Sequence, residues 1–167
     1  VLEDDDVPSV SFFTFCKEML DKYEQDTRIT MIAGFNNEEI TPDVPYDYFF
    51  ASTFSIWGWA SWKRVIDQWD EHYTFLEDKF NMQQLEQLIK ERKFRKDFIY
   101  MCHRHKENNK AYYETIFHAS MLFNSGLAIV PTRNMINNLG VTADSTHFAG
   151  SVHTLPKGYR RIFTMKR

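Results

Sequence analysis

Apolar positions recur at helical spacing from residue 12 to residue 23, where Phe12, Phe13, Cys16, Met19, Leu20 and Tyr23 fall on one face. Pro8-Ser9 turns the chain just before them, and Ser9 or Ser11 is available as the cap. Residues 28–33 are few, rich in β-formers and closed by Gly34, which predicts a strand followed by the polar loop Asn36-Asn37-Glu38-Glu39. Two prolines and two aspartates interrupt residues 41–48 before the aromatic strand 48–52, and the loop 36–47 is read as a lid. Trp62, Val65, Ile66 and Trp69 then stand at i, i+3, i+4 and i+7, predicting a helix that ends near Asp70. Residues 74–108 are charged and helix-compatible, with Phe75, Leu76, Phe80, Leu85, Leu88 and Ile89 as the inner face. A further helix from 112 to about 123 is stopped by Ser125-Gly126 before the strand 127–130, which Pro131 closes. Helix and strand alternate, so the expectation is an α/β fold in a single domain over 1–167.

Composition narrows the function. The 167 residues hold 20 Lys+Arg against 23 Asp+Glu, a formal charge of −3, with 43% hydrophobic and 26% charged residues. That excludes bulk disorder and argues against a nucleic-acid partner, which calls for a basic face. Cys16 and Cys102 make at most one bridge, so two buried thiols in a reduced, cytoplasmic protein, at most peripheral to a membrane, is the simpler reading. No apolar stretch reaches the roughly 18 residues of a transmembrane segment. The opening Val1-Leu2-Glu3-Asp4-Asp5-Asp6 is the opposite of a signal peptide and reads as a strand end running into an acidic cluster, the mark of a fragment.

Four places can carry chemistry. Glu3-Asp4-Asp5-Asp6 sets four carboxylates side by side, and a divalent cation relieves their repulsion, with hard oxygen ligands suiting Mg²⁺ or Mn²⁺. A solvated acidic run is the plain alternative. Trp57-Gly58-Trp59 offers two indole faces on either side of a backbone that can turn tightly, suited to a sugar ring or to core packing. Tyr113-Glu114 opens a helix, where the carboxylate either faces a cleft as a base or complements the helix dipole. Asp144-Ser145-Thr146-His147 places a histidine in a loop, as a ligand or a surface residue. Cys102-His103-Arg104-His105 stands among cationic side chains, and reads as a helix surface instead of a zinc site.

In combination these segments resemble GT-A-type nucleotide-sugar glycosyltransferases, most closely a bacterial glycosyltransferase family 2-like group labelled hemolytic-protein-like, and more distantly N-acetylglucosaminyltransferase I. The likeness runs in order through Leu2-Glu3-Asp4-Asp5, Tyr48-Phe49-Phe50, Ile56 to Trp62, Tyr113-Glu114, Gly126 to Pro131, Asn134 to Gly140 and Thr146-His147. It implies a GT-A-like mixed sheet flanked by helices, here without its N-terminal nucleotide-binding half. It also implies a metal, Mn²⁺ or Mg²⁺, on Asp5 and His147. Glu3 and Asp4 would face the ribose or metal-bound water, with Asp6 peripheral. Trp57, Gly58 and Trp59 would wall the sugar site, and Tyr113 and Asn138 would meet the acceptor. Glu114 matches the acidic residue of the family's Trp-Asp pair, the general base of inverting members, although that pair has become Tyr-Glu.

The expected function is metal-dependent transfer of a sugar from a nucleotide-diphospho-sugar, a UDP-sugar by default, to a saccharide or other acceptor hydroxyl, inverting by direct displacement, with a retaining path left open. A non-catalytic carbohydrate- or nucleotide-binding remnant of the fold is the alternative. A nucleotidyltransferase ranks lower, because the chain has no Gly-rich phosphate loop.

Overall fold

The structure is a computed structural model that describes residues 1–140, and the described residues form two compact units, one of residues 1–62 with 127–140 and the other of residues 63–126. His147 and its loop lie outside the described residues.

The first unit is a four-stranded mixed sheet with one helix against it. Strand β1 (Asp6–Pro8) leads through Ser9 into helix α1 (Val10–Lys22), and strands β2 (Ile29–Ala33), β3 (Tyr48–Ala51) and β4 (Trp59–Ala60) follow. Strands β5 (Leu127–Pro131) and β6 (Ile136–Asn138) complete it. The sheet order is β3-β5-β2-β4, with β5 parallel to β2 and both outer strands antiparallel. Every residue of β2 is buried, as a central strand with a parallel neighbour requires. The core gathers Phe12, Phe15, Cys16 and Met19 of α1 with Ile29, Ile32, Ile129 and Ile136, at about 1.5–3 kcal/mol for each large apolar side chain buried. The helical spacing identified α1 and three of its four buried residues, Phe12, Cys16 and Met19, but the fourth is Phe15, and Phe13 is 57% exposed. Ser9 is the N-cap by position, yet its hydroxyl contacts Ser11 Oγ at 3.0 Å and not the helix backbone.

The loop read as a lid is fastened down. Thr41 N–H donates to the Thr132 carbonyl at 2.9 Å, Asn134 N–H to that of Glu39 at 2.8 Å, and Thr132 N–H to that of Asp47 at 2.9 Å. Beside the main sheet, β1 and β6 form a two-stranded antiparallel ribbon whose register sets Asp6 opposite Asn138.

The second unit is helical. Helix α2 (Lys63–Ile66) covers only four residues of the span from Trp62 to Asp70 that the periodicity marks as helix. Beyond it Gln68 and Trp69 close tighter turns onto Val65 and Ile66, so the apolar spacing persists without an α-helix. A 3₁₀ turn (Thr74–Glu77) and helices α3 (Lys79–Leu88), α4 (Arg92–Glu107) and α5 (Tyr113–Phe123) follow. Asp78 caps α3 by accepting from Phe80 N–H at 2.7 Å and Asn81 N–H at 3.0 Å, and Glu91 caps α4 through Lys93 and Phe94. Their core joins Tyr73, Phe75, Leu76, Leu85, Ile89, Phe98, Cys102, Ile116 and Ala119. Phe80 and Leu88, expected inside, are 65% and 42% exposed. The cap at Asp78 sets the phase of α3, and Phe80 then lies about 140° round the helix from Leu85. The two cysteines are buried free thiols, as expected, and desolvation pushes each up to about 12.

Candidate functional site

The acidic run does not fan out into solvent. Asp6 N–H donates to the Glu3 carbonyl at 3.2 Å, and Glu3 N–H donates to Asp6 Oδ2 at 3.1 Å, closing a tight turn over residues 3–6. The turn brings together Glu3, Asp5 and Asp6, each offering one oxygen within 4.8 Å of the others, while Asp4 stays exposed and outside the group. Asp6, taken from the sequence as peripheral, is the buried centre at 9% exposure. Its Oδ2 accepts from Gly58 N–H at 2.9 Å, and its Oδ1 accepts from Asn138 Nδ2 at 3.2 Å. A local reading of the run could not find this, because the β1–β6 register and Gly58 are what draw Asp6 inward.

Asn138 ties the cluster together. Its Nδ2 donates to Asp5 Oδ1 at 2.9 Å as well as to Asp6, and its Oδ1 accepts from Gly140 N–H at 2.9 Å. That acceptance fixes the amide orientation, since a flipped amide would set its oxygen against two carboxylates. Leu139 N–H donates to the Asp5 carbonyl at 2.8 Å. At Gly140 a Cβ would overlap the Asp5 carboxylate, so the chain passes this close only without a side chain. Burial raises the Asp6 carboxyl above its ordinary value, and the adjacent Asp5 charge adds to this against the three hydrogen bonds that lower it. Negative charge therefore accumulates here at an energetic cost.

The remaining predicted residues are placed differently. Gly58 has φ +62°, where a Cβ would strike Ile136, and its carbonyl accepts from Gly34 N–H at 2.7 Å. Trp59 is 5% exposed, and Trp57 packs edge-on to Phe35 with centroids 4.8 Å apart. Both indoles thus belong largely to the core. Tyr113 and Glu114 open α5 in the second unit, half-buried. Close by, His105 Nδ1 lies 2.9 Å from Thr115 Oγ1, which lies 2.9 Å from the hydroxyl of Tyr73. Burial lowers His105 below its ordinary value, and the Glu114 charge opposes this.

The carboxylate set suits a hard cation. Mg²⁺–oxygen bonds of about 2.1 Å put ligands within about 4.2 Å of one another, so small side-chain rotations would close the set. Glu3, Asp5 and Asp6 are the residues that would hold the ion, with Asn138 orienting two of them. Among the described residues no other group of three or more His, Cys, Asp or Glu side chains converges in this way. No described helix is long and apolar enough to cross a membrane. Comparison of the chain with protein-family models, curated proteins and solved structures yields no match.

Proposed function

We propose that the chain carries the metal-binding part of a glycosyltransferase that moves a sugar from a nucleotide-diphospho-sugar to an acceptor hydroxyl. What supports this reading is a convergence in space. Segments that carry the glycosyltransferase resemblance separately along the chain, 3–5, 57–59 and 134–140, supply Glu3 and Asp5, the Gly58 N–H and the Asn138 amide of one cluster, which Asp6 joins from just beyond the first of them. A divalent cation held there would supply charge neutralisation for a departing diphosphate. The protein's own part is to hold the ligands in place: Asn138 and Gly140 fix Asp5, and Gly58 with the 3–6 turn fixes Asp6. Glu114 keeps, within the proposal, the role of accepting the acceptor's proton.

The test is turnover of labelled UDP-sugars with and without Mn²⁺. Mn²⁺-dependent transfer or donor hydrolysis that is lost in Asp5→Asn is expected. A wild-type rate in that variant would remove the metal assignment, and Mn²⁺-dependent nucleotide binding without turnover would favour the non-catalytic remnant. Glu114→Gln should lower kcat by ~10²-fold or more if the carboxylate is a general base. A change confined to acceptor KM would make it a binding residue.

A further inference from the structure

A cleft of about 420 Å³ opens within the first unit, on the side of β3 turned away from α1. Strand alternation places it there. Tyr48 packs with the α1 core and Phe50 meets Tyr23, whereas Phe49, Ala51 and Val130 point the other way and line the cleft. Phe35, Phe49 and Phe54 give it aromatic walls, and Asn37, Glu38 and Thr53 stand among them as hydrogen-bonding groups. The size and the mixture of rings with a few polar groups are those of a small-molecule site.

The wall is preorganised by Asn36, which is 2% exposed and fully engaged. Its amide N–H₂ donates to Thr41 Oγ1 at 3.0 Å and to the Pro131 carbonyl at 2.8 Å. Its Oδ1 accepts from Glu38 N–H at 3.0 Å, and its own N–H donates to Asn134 Oδ1 at 2.9 Å. A wall held this way need not be ordered when a ligand enters. Glu38 is the single charged residue of the lining, so the cleft repels phosphate and carboxylate ligands. Flat apolar faces beside hydroxyl and amide groups, without positive charge, match an uncharged ring that is apolar on its C–H face and polar at its edge.

We infer that this cleft is a binding site for a neutral saccharide. Its position adds a length. Asn134 holds the cleft wall through Asn36, and Asn138, four residues on, holds Asp5 and Asp6, a separation of at most about 14 Å along the chain. The cleft wall and the carboxylates are thus anchored by one short segment of the chain. If the transferase reading holds, the saccharide is the acceptor; the cleft's chemistry is argued without that reading.

The experiment is saturation-transfer difference NMR of the protein with maltotriose, cellotriose and tri-N-acetylchitotriose at millimolar concentration, without metal or nucleotide. Transfer to the C–H face of at least one trisaccharide is expected, falling at least tenfold in Phe54→Ala. Thr53→Trp, which fills the cleft from an exposed position, should abolish the signal while circular dichroism and the melting temperature stay at wild type. No transfer to any of the three, or transfer that survives both variants, overturns the inference. So does a UDP signal, recorded in a separate metal-free sample with UDP in place of the sugars, that disappears in the same two variants, because the cleft would then be a nucleotide site. Neither metal nor donor is present, so failure of sugar transfer and failure of saccharide binding are read independently.

Discussion

Each unit contains a polar cluster, and the two follow opposite rules. Around Asp6 the chain gathers three carboxylates, and the Asn138 amide donates to two of them across sequence separations of 132 and 133 residues. The three carboxylates stand close together, and burial with the neighbouring Asp5 charge raises Asp6 against the hydrogen bonds that lower it. Around Tyr73 the partners are the Thr115 hydroxyl and the His105 ring, and the bonds run from hydroxyl to hydroxyl to ring. Burial holds His105 below and the Tyr73 phenol above their ordinary values, so this cluster stays neutral at pH 7. Tyr73 itself has φ +51°, a left-handed conformation that a bulky side chain adopts only under constraint. The difference teaches how to read buried polar groups. A cluster of hydroxyls and a neutral ring can pin a strained backbone, whereas one that crowds three carboxylates suits a cation.

The largest effect should come from Gly58→Ala. A Cβ at φ +62° is strained, and it would meet Ile136 in the core, so the cost should be about 3 kcal/mol. Urea unfolding measures it, and loss of Mn²⁺ binding should accompany it, because Gly58 N–H anchors Asp6. A near-neutral substitution would mean that the carboxylate cluster does not depend on this turn.

Mn²⁺ should separate the two clusters next. At a free concentration 100 times its Kd, it should stabilise the protein by about 2.7 kcal/mol. Asp5→Asn should remove that gain and Tyr73→Phe should leave it intact, both read from melting curves with and without metal. Equal protection of the two variants would dissolve the contrast.

Tyr73→Phe should cost about 1 kcal/mol by leaving Thr115 and His105 without the phenol. Hydrogen exchange should show the loss in α4 and α5 and leave β2 and β5 unchanged.

How much of this the sequence shows follows from what is local. Helix α1, strands β2, β3 and β5, and helix α5 each carry their own period and punctuation, such as Gly34 after β2 and Pro131 at the end of β5. Asp5, Glu3 and Asn138 were legible as chemistry-bearing residues, and all three fall in one cluster. What escaped depends on partners remote in sequence. Strands β1 and β6 are three residues each and become strands only by pairing with one another, and β4 is two residues long at the sheet edge. Asp6 is buried because that ribbon and Gly58 enclose it, a fact absent from four consecutive acidic residues. Phe13 and Phe15 differ by two positions on one helix, and only the docked orientation of α1 decides which is inside. The indoles of Trp57 and Trp59 are as suited to a core as to a ligand, and here the core takes them.

The smallest effect is also the most discriminating, because the units should respond to acid in opposite directions. His118 packs beside the rings of Phe94 and Phe98, with centroids 5.5 Å and 5.1 Å away, and burial lowers its pKa from the ordinary 6.5. The folded state therefore favours the neutral ring. Above the ordinary value both folded and unfolded chains carry it neutral, and stability does not change with pH. As pH falls through that value the unfolded chain takes up the proton first, and the second unit loses stability, by no more than about 1.4 kcal/mol per pH unit for this group. His105, lowered in the same direction, adds to the slope. Asp6 acts with the other sign. Its raised pKa means that the folded state binds a proton before the unfolded one does, so in metal-free buffer the first unit gains stability as pH falls toward the ordinary carboxylate value. Hydrogen exchange resolved by residue between pH 7 and pH 4.5 should show protection in α4 and α5 falling where that of β1 and β6 holds or rises. His118→Leu should flatten the first trend and leave the second, and an unchanged slope in α4 and α5 would show that the ring beside the two phenylalanines is not what makes this unit sensitive to acid.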